Sequence, residues 1–444
     1  MEDKIANVVV VGGGPAGVCA AIAAARNGAD TLIVEQGNCL GGMATLGLVG
    51  PFMTCYDKRG EVQIIRGLFD EIVRRLVAVG GAIHPSEIRA GTACTAWITR
   101  GHDHCTPFEP EALKFVLDDM CAEVGVKVLY HATFMGPVMD GNRIAGIEIW
   151  TKAGARRIAA KVVIDATGDG DVAFRAGAPC EIGDTTRGGA MQPVSMFFRI
   201  GNLPEESVDA VRRQYPQDTR CFQTILRNAR EEGRWHIPRP HMNLFRGVKT
   251  DEWFVNVSRL NGVDATDPQS LSDAETEGRR QVREILDLIR HDFPGAEGMR
   301  LISTASTMGI RETRHVLGEY VLDRDDVVTG RVPKDSVFVC ANSIDLHGGT
   351  DANTTLYLTI DGNFYGVPYR CLVPRNVDGL LVAGRCVSAS AIGAAAIRVM
   401  PPCMAMGQAA GTAAAMSVKS GVKPRDLDSD ALVAQLKSDG VWLG

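Results

Sequence analysis

Two groups of residues in this sequence have the types and spacing that chemistry requires. The first is Gly12-x-Gly14-x-x-Gly17, with a carboxylate, Glu35, 18 residues further on. Gly12 permits a tight turn, Gly14 lets the backbone approach a pyrophosphate, and Gly17 lets a helix pack close to the preceding strand. The helix that opens there offers unbonded N–H groups and a partial positive charge to phosphate oxygens. Glu35 is placed to bind a ribose hydroxyl. The second group is cationic and acid–base in character. Arg311 and Arg314 flank Glu312-Thr313, and a guanidinium fork can hold a carboxylate by two parallel hydrogen bonds. Asp345 and His347 are two residues apart, so in a strand they share a face. The imidazole can take a proton while the carboxylate fixes its tautomer. Arg398 is the only charged residue between Arg385 and Lys419, a position that suits a ligand contact. Structural ion pairing, with Glu312 or Glu319 for the paired arginines, is the competing reading.

These residues need elements to hold them. Residues 7–11 are a short apolar run ending in glycine, the mark of a buried parallel strand. Residues 16–27 are alanine-rich and helical, closed by Gly28, and residues 31–34 are a second buried strand; together they make a β-α-β unit. Apolar residues recur at helical spacing over 65–77 and 109–124. Residues 127–130 read as a strand, and 143–150 and 156–164 as meander strands turning at Gly154. From 183 to 335 charges are denser, and strand-like pieces (194–200, 253–259) alternate with polar helices (206–214, 273–290). A strand at 379–383 and a small-residue helix at 403–418 return to the pattern of the amino-terminal third. The expected architecture is α/β. A Rossmann-like domain, a parallel sheet with a β-meander, is built from residues 1–182 and 336–444 and interrupted by an α+β substrate or cap domain, 183–335.

Composition narrows the classes. A chain of 444 residues exceeds one ordinary core, and 45% hydrophobic with 23% charged residues is the balance of a folded protein. The net charge of −6 argues against the broad basic face that nucleic acid requires. Twelve cysteines include no C-x-x-C pair, which argues against zinc or iron–sulfur sites and for free thiols in a reducing compartment, the cytoplasm. Residues 5–25 are uncharged and long enough to span a membrane. Gly12-Gly13-Gly14-Pro15 interrupts them, and Val8-Val9-Val10-Val11 prefers a strand, so no span is expected. His102-Asp103-His104-Cys105 reads as a solvated loop near the ligand cleft, with no metal, and Cys39 as a small buried thiol.

The glycine turn serves NAD and FAD alike, and three further stretches favour FAD. Gly41-Gly42-Met43-Ala44-Thr45 follows Glu35 closely, Asp165 to Asp171 closes the meander, and Leu380-Leu381-Val382-Ala383-Gly384-Arg385 leads to a helix near Pro402. No second glycine turn of this kind follows a strand. On these residues the chain resembles the FAD-dependent oxidoreductase family, with the glutathione-reductase-type FAD-binding fold, over nearly its whole length. The most specific stretch runs from Gly384-Arg385-Cys386 through Ile397-Arg398-Val399-Met400 to Gly407-Gln408-Ala409-Ala410-Gly411. The resemblance implies that Gly12, Gly14, Pro15, Ala16 and Gly17 form the phosphate turn, with Glu35 on the ribose. It assigns Gly41, Gly42, Met43 and Ala44 to the flavin side and Ala132, Thr133 and Phe134 to the adenine end. Ala166, Thr167, Gly168, Gly384 and Arg385 become later FAD contacts. The helix from Pro402, with Cys403 and Met404, should aim its positive end at the flavin edge that becomes negative on reduction. Arg311-Glu312-Thr313-Arg314 resembles an R-E-[ST]-R element of the family.

The function expected is hydride transfer from a small organic substrate, a carboxylate among the candidates, to flavin N5. His347 takes the proton, and Arg311, Arg314 or Arg398 anchors the substrate. The electron acceptor stays open between oxygen, a quinone and a redox protein, and a homo-oligomer is compatible with the sequence. The competing expectations are a fumarate-reductase-like flavoprotein that reduces an activated double bond, a monooxygenase fed by NAD(P)H, and an FAD-binding scaffold without turnover.

Overall fold

The computed structural model describes residues 4–348 and 355–444. Its main sheet is centred on the valine-rich strand Lys4–Val11, which runs parallel to Thr31–Val34 on one side and Gly154–Asp165 on the other. Val8, Val9 and Val10 are wholly buried, which is why this strand is a continuous apolar run with no alternation. Lys127–Leu129 extends the sheet beyond Thr31–Val34. Leu380–Val382, from the far end of the chain, pairs in parallel with the last residues of Gly154–Asp165. The first half of that long strand carries the antiparallel meander of Arg143–Thr151 and Thr133–Asp140.

The helices Pro15–Arg26 and Met400–Ser420 bring the two ends of the chain together. A Cβ added at Gly407 would lie 2.0 Å from the carbonyl oxygen of Ala16, and one at Gly411 would lie 2.0 Å from that of Ala20. Helix backbones approach this closely only where side chains are absent. The alanine and glycine content that marked both segments in the sequence is the condition for this contact.

A second core is built on an antiparallel sheet, ordered Arg300–Thr304, Phe198–Gly201, Trp253–Asn256, Asn243–Arg246. Helix Pro268–Asp292 packs Val282, Ile285, Leu286 and Ile289 against it. Its start, polar and therefore without apolar periodicity, lies five residues before the expected one and is capped by Asp267, which accepts from Ser270 N at 2.7 Å. The buried residues of the second core run to Met308, with Ile310 packed against them, whereas Val316, Leu322 and Val327 belong to the first core. Strand Arg314–Val316 pairs with Cys180–Ile182. All twelve cysteines are free thiols. Among the described residues no helix is long and apolar enough to cross a membrane.

Candidate active site

The parallel strands end on one side of the sheet, and the residues just beyond them line a single cavity of about 1560 Å³. Gly12 follows Val11, Glu35 follows Val34, Ala166 follows Asp165, and Gly384 lies two residues beyond Val382. This is the crevice at strand carboxyl ends where open α/β sheets bind ligands. Its volume exceeds the roughly 300–1000 Å³ of ordinary small-molecule pockets. Backbone hydrogen bonds tie the strand ends to one another: Gly12 N to Val34 O (2.8 Å), Ala166 N to Val11 O (2.9 Å) and Ala383 N to Asp165 O (2.9 Å).

The glycine turn has the geometry a phosphate needs. Gly12 has φ +98°, and a Cβ there would meet Ala166 O at 2.6 Å. A Cβ at Gly17 would lie 1.8 Å from Gly12 O, so that residue serves packing and does not line the cavity. At Gly14, which lines the cavity, a Cβ would meet nothing within 4 Å, so the space beside it is open to a ligand. Glu35 Oε2 accepts from Gly13 N and Oε1 from Gly37 N, each at 2.6 Å. A carboxylate has about four acceptor sites, so Glu35 can brace the turn and still receive a hydroxyl.

Gly42 and Met43, then Ala132, Thr133 and Phe134, line the cavity where expected. Gly41 and Ala44 do not. Gly41 (φ +101°) turns the chain and donates to Gly13 O at 2.8 Å, and Ala44 is wholly buried. Ala166, Thr167, Gly168 and Arg385 are lining residues. Arg385 Nη2 binds Asp169 Oδ1 at 2.7 Å and so holds the 166–171 turn to the 384–386 segment. Behind that turn, fully buried Asp165 accepts from Thr167 N, Thr167 Oγ1 and Ala173 N. Burial raises its carboxyl to about 6 despite these hydrogen bonds.

Helix Met400–Ser420 begins two residues before Pro402, and its amino-terminal end reaches the cavity through Val399, Met400 and Cys403. Pro402 and Met404, expected beside the ligand, point into the core instead. Pro402 lies off the face that residues 400 and 403 share, whereas Met404 is on that face but one turn further along the helix, away from its amino-terminal end.

Arg311, Asp345, His347 and Arg398 line the same cavity. Strand Ile344–His347 buries Ile344 and Leu346 and turns the alternate pair, Asp345 and His347, toward the cavity. His347 Nε2 is 3.3 Å from Asp345 Oδ2. Gln192 Oε1 accepts from His347 N (3.2 Å) and from Arg398 Nη2 (3.4 Å), and Arg398 Nη2 also donates to Asp345 O (3.2 Å). Gln192 is itself held by Glu312, whose Oε1 accepts from Gln192 N at 2.6 Å. Arg311 donates to Pro193 O and, at 3.1 Å, to Ser195 Oγ. Burial lowers the imidazolium of His347 to about 4, with Asp345 opposing and Arg311 and Arg398 reinforcing the shift. Burial alone would raise Asp345, yet His347, Arg398 and Arg311 hold its carboxyl well below the usual range. At neutral pH the pair is a neutral imidazole beside a carboxylate.

Arg314, expected as an anion grip, is committed elsewhere and does not line the cavity. Its guanidinium pairs with Asp171 Oδ1 at 2.8 Å, donates to Asp169 O at 3.0 Å and lies 4.5 Å from the centroid of Phe174. The strand pairing of Arg314–Val316 turns it away from the side taken by Arg311. The loop at 102–105 is not solvated as expected. His104 is buried, stacks on Tyr56 with centroids 3.9 Å apart and hydrogen-bonds Pro85 O, while His102 lines the cavity. Among the described residues no group of three or more His, Cys, Asp or Glu could hold a metal. Sequence reasoning missed Gln192, Arg239, His241 and Arg259, all but Gln192 on the cavity wall. Prolines at 238 and 240 around Arg239 marked a rigid loop, but nothing local marked its destination.

A cavity that gathers four parallel strand ends, two helix amino termini and a carboxylate beside the glycine turn defines a Rossmann-type dinucleotide-binding protein. Residues 7–436 match the family described as FAD dependent oxidoreductase, and the chain belongs to it: it is a flavoprotein oxidoreductase with FAD as cofactor. Thiamine thiazole synthase from Aeropyrum pernix is 31% identical over 180 residues, 38% of this chain and 57% of that protein, so the match spans little more than half of the relative's length. Similar solved structures include a geranylgeranyl bacteriochlorophyll reductase-like protein from Thermoplasma acidophilum, 15% identical, with 98% of this chain and 83% of that one covered and a TM-score of 0.47. Others are p-nitrophenol 4-monooxygenase from Pseudomonas putida (13%, 100% and 90%, TM-score 0.48) and L-proline dehydrogenase from P. horikoshii (11%, 95% and 95%, TM-score 0.45). At this distance they carry no argument about substrate.

Proposed function

We propose that this oxidoreductase removes hydride from a small organic substrate seated between the bound flavin and the Asp345–His347 pair. The observation that carries the reading is that pair, facing the same cavity as the glycine turn and the start of helix Met400–Ser420. Bound FAD supplies a two-electron acceptor for the substrate's C–H hydride. Asp345, 3.3 Å from Nε2 of His347, fixes the orientation of the imidazole, which takes the proton leaving the substrate. Arg311 and Arg398 orient an anionic substrate group, and Gln192 fixes the spacing of Arg398 to His347. Gly12, Gly14, Pro15, Ala16, Glu35, Gly42, Met43, Ala132 to Phe134, Ala166 to Gly168, Gly384, Arg385 and Cys403 would hold FAD.

The test is anaerobic bleaching of the purified yellow protein against a panel of small organic acids, alcohols and amines. His347→Ala should slow bleaching at least about a hundredfold while flavin content stays normal; unchanged kinetics would remove His347 from the reaction. A second reading, reduction of an activated double bond with an arginine as proton donor, draws support from Arg311. Its guanidinium is pushed well below the usual range by burial and by Arg398, Arg239 and nearby Arg259. Prereduced enzyme reoxidised by an unsaturated acid would favour that direction.

A further inference from the structure

The substrate end of the cavity is more cationic than one anchoring group requires. Arg239, in the loop before strand Asn243–Arg246, reaches it from the second domain. Arg239 is 4% exposed, and its Nη1 donates to Asn256 Oδ1 at 3.2 Å. Arg311 and Arg398 reach the same space from the segments around Ser195 and Gln192. Among the described residues, no carboxylate lies within 4.0 Å of any of these three guanidinium groups, and Nε of both Arg239 and Arg398 has no hydrogen-bond partner. Arg259, also lining this end, is anchored to Gly348 O at 2.8 Å. Asp345 is the carboxylate facing the three. Of the other lining acids on this side, Asp209 is paired with Arg212 and Asp218 receives Thr224 N and Oγ1. Glu312, which also acts on Arg398, is buried behind the wall.

Buried Arg239 and half-buried Arg311 and Arg398 thus share Asp345 as the lining carboxylate among the described residues, with Arg259 adding positive charge and Glu312 offsetting part of that on Arg398, so positive charge is in excess in this space. Buried charge without a counter-charge is costly, and a ligand of matching charge removes that cost. Burial first, and then nearby Arg259, lowers Arg239 to about 10. The chain as a whole carries a charge of −6, so this concentration of positive charge is local and focuses anions into the cleft.

We propose that the substrate carries two negative charges, one held by Arg311 and Arg398 beside His347 and the other by Arg239, which comes from the second core. This deepens the functional reading above and rests on its placement of the substrate end. The second charge is a carboxylate or a phosphoryl group, both of which fit a guanidinium fork. Arg239 then sets specificity and takes no part in the chemistry.

The holoenzyme is titrated with succinate, butyrate and inorganic phosphate at low ionic strength, and binding is read from the perturbation of the flavin absorbance. Succinate should bind about tenfold or more tightly than butyrate, the margin of one charge-assisted contact. Arg239→Gln should erase that margin, leaving butyrate affinity and flavin content unchanged, and Arg239→Lys should restore part of it. Phosphate that binds as tightly as succinate, and loses this in Arg239→Gln, supports the two-charge site and identifies the phosphoryl group as its second source. Equal affinities for succinate and butyrate in the unmodified enzyme, with phosphate no tighter, would overturn the proposal even if Arg239→Gln failed to fold. So would an Arg239→Gln enzyme that weakens both acids alike. The two readings fail separately: a neutral substrate that bleaches the flavin in a His347-dependent manner keeps the oxidoreductase mechanism and removes the dianion.

Discussion

Replacing Gly14 by valine separates ligand binding from folding more sharply than any other change in the glycine turn. Gly14 has φ −69° and ψ −175°, extended backbone that any residue adopts, and a Cβ there meets nothing within 4 Å. Valine is a poorer helix N-cap than glycine by up to about 1 kcal/mol. It also narrows the unfolded ensemble, a gain of about 0.4–1 kcal/mol. The two nearly cancel, so the apoprotein should melt within a few degrees of its parent. The isopropyl group, however, fills the space a pyrophosphate must enter to reach the N–H groups of Gly14 and Ala16. Losing two hydrogen bonds to a charged group, at about 1.5–3 kcal/mol each, weakens FAD by about 3–6 kcal/mol, or roughly 10²- to 10⁴-fold. Fluorescence titration of apoprotein with FAD, alongside thermal melts of the same preparations, gives both quantities. Gly17→Ala is the contrasting control. Its Cβ would lie 1.8 Å from Gly12 O, so it should lose stability as well as FAD. A Gly14→Val protein with FAD affinity near that of its parent would refute the placement of the pyrophosphate.

Because His347 is lowered to about 4, the second-order rate constant for flavin reduction should stay level down to about pH 5 and fall through about 4; a midpoint near 6.5 would mean an unperturbed imidazole. His102, His241 and His347 are lowered to about 4, 2 and 4, each with burial as the leading cause. As pH falls below 6.5 the unfolded chain therefore binds protons that the folded chain does not, and stability should drop; urea melts of the apoprotein at pH 7.5 and 5 that give equal or greater stability at the lower pH would contradict these environments. Gly411→Val drives a side chain into the backbone at Ala20 and should cost about 3 kcal/mol or more, with FAD retention falling as the two helices separate; a melt unchanged from the parent would contradict the packing. Arg314→Ala should lower stability by about 1 kcal/mol, the scale of a half-exposed ion pair with an aromatic contact. Its bleaching kinetics should stay normal, and a selective rise in KM would return Arg314 to the substrate.

Much of the cofactor side was legible in the sequence because its signals are local. The spacing of Gly12, Gly14 and Gly17 after a valine run specifies a strand, a tight turn and a helix within a dozen residues. Glu35 then falls at the end of the next strand by chain length alone. Asp345 and His347 could be paired on one face because strand geometry has a period of two. Other decisions belonged to contacts far apart in the chain. Arg311 and Arg314 are equivalent by residue type, and only the pairing of Arg314–Val316 with Cys180–Ile182 sends one to the cavity and the other to Asp171. The phase of helix Met400–Ser420 chose Cys403 for the cavity over Pro402, and distance along the helix kept Met404 out of it. Arg239 and His241 reach the site from a separately cored domain, and the turn of that domain onto the first is written in no short window of residues. Local sequence thus determined which segments bend, extend or coil, since backbone sterics and side-chain period act over a few residues. Tertiary packing decided which charges meet, since desolvation and Coulomb energy depend on neighbours in space that lie far away along the chain.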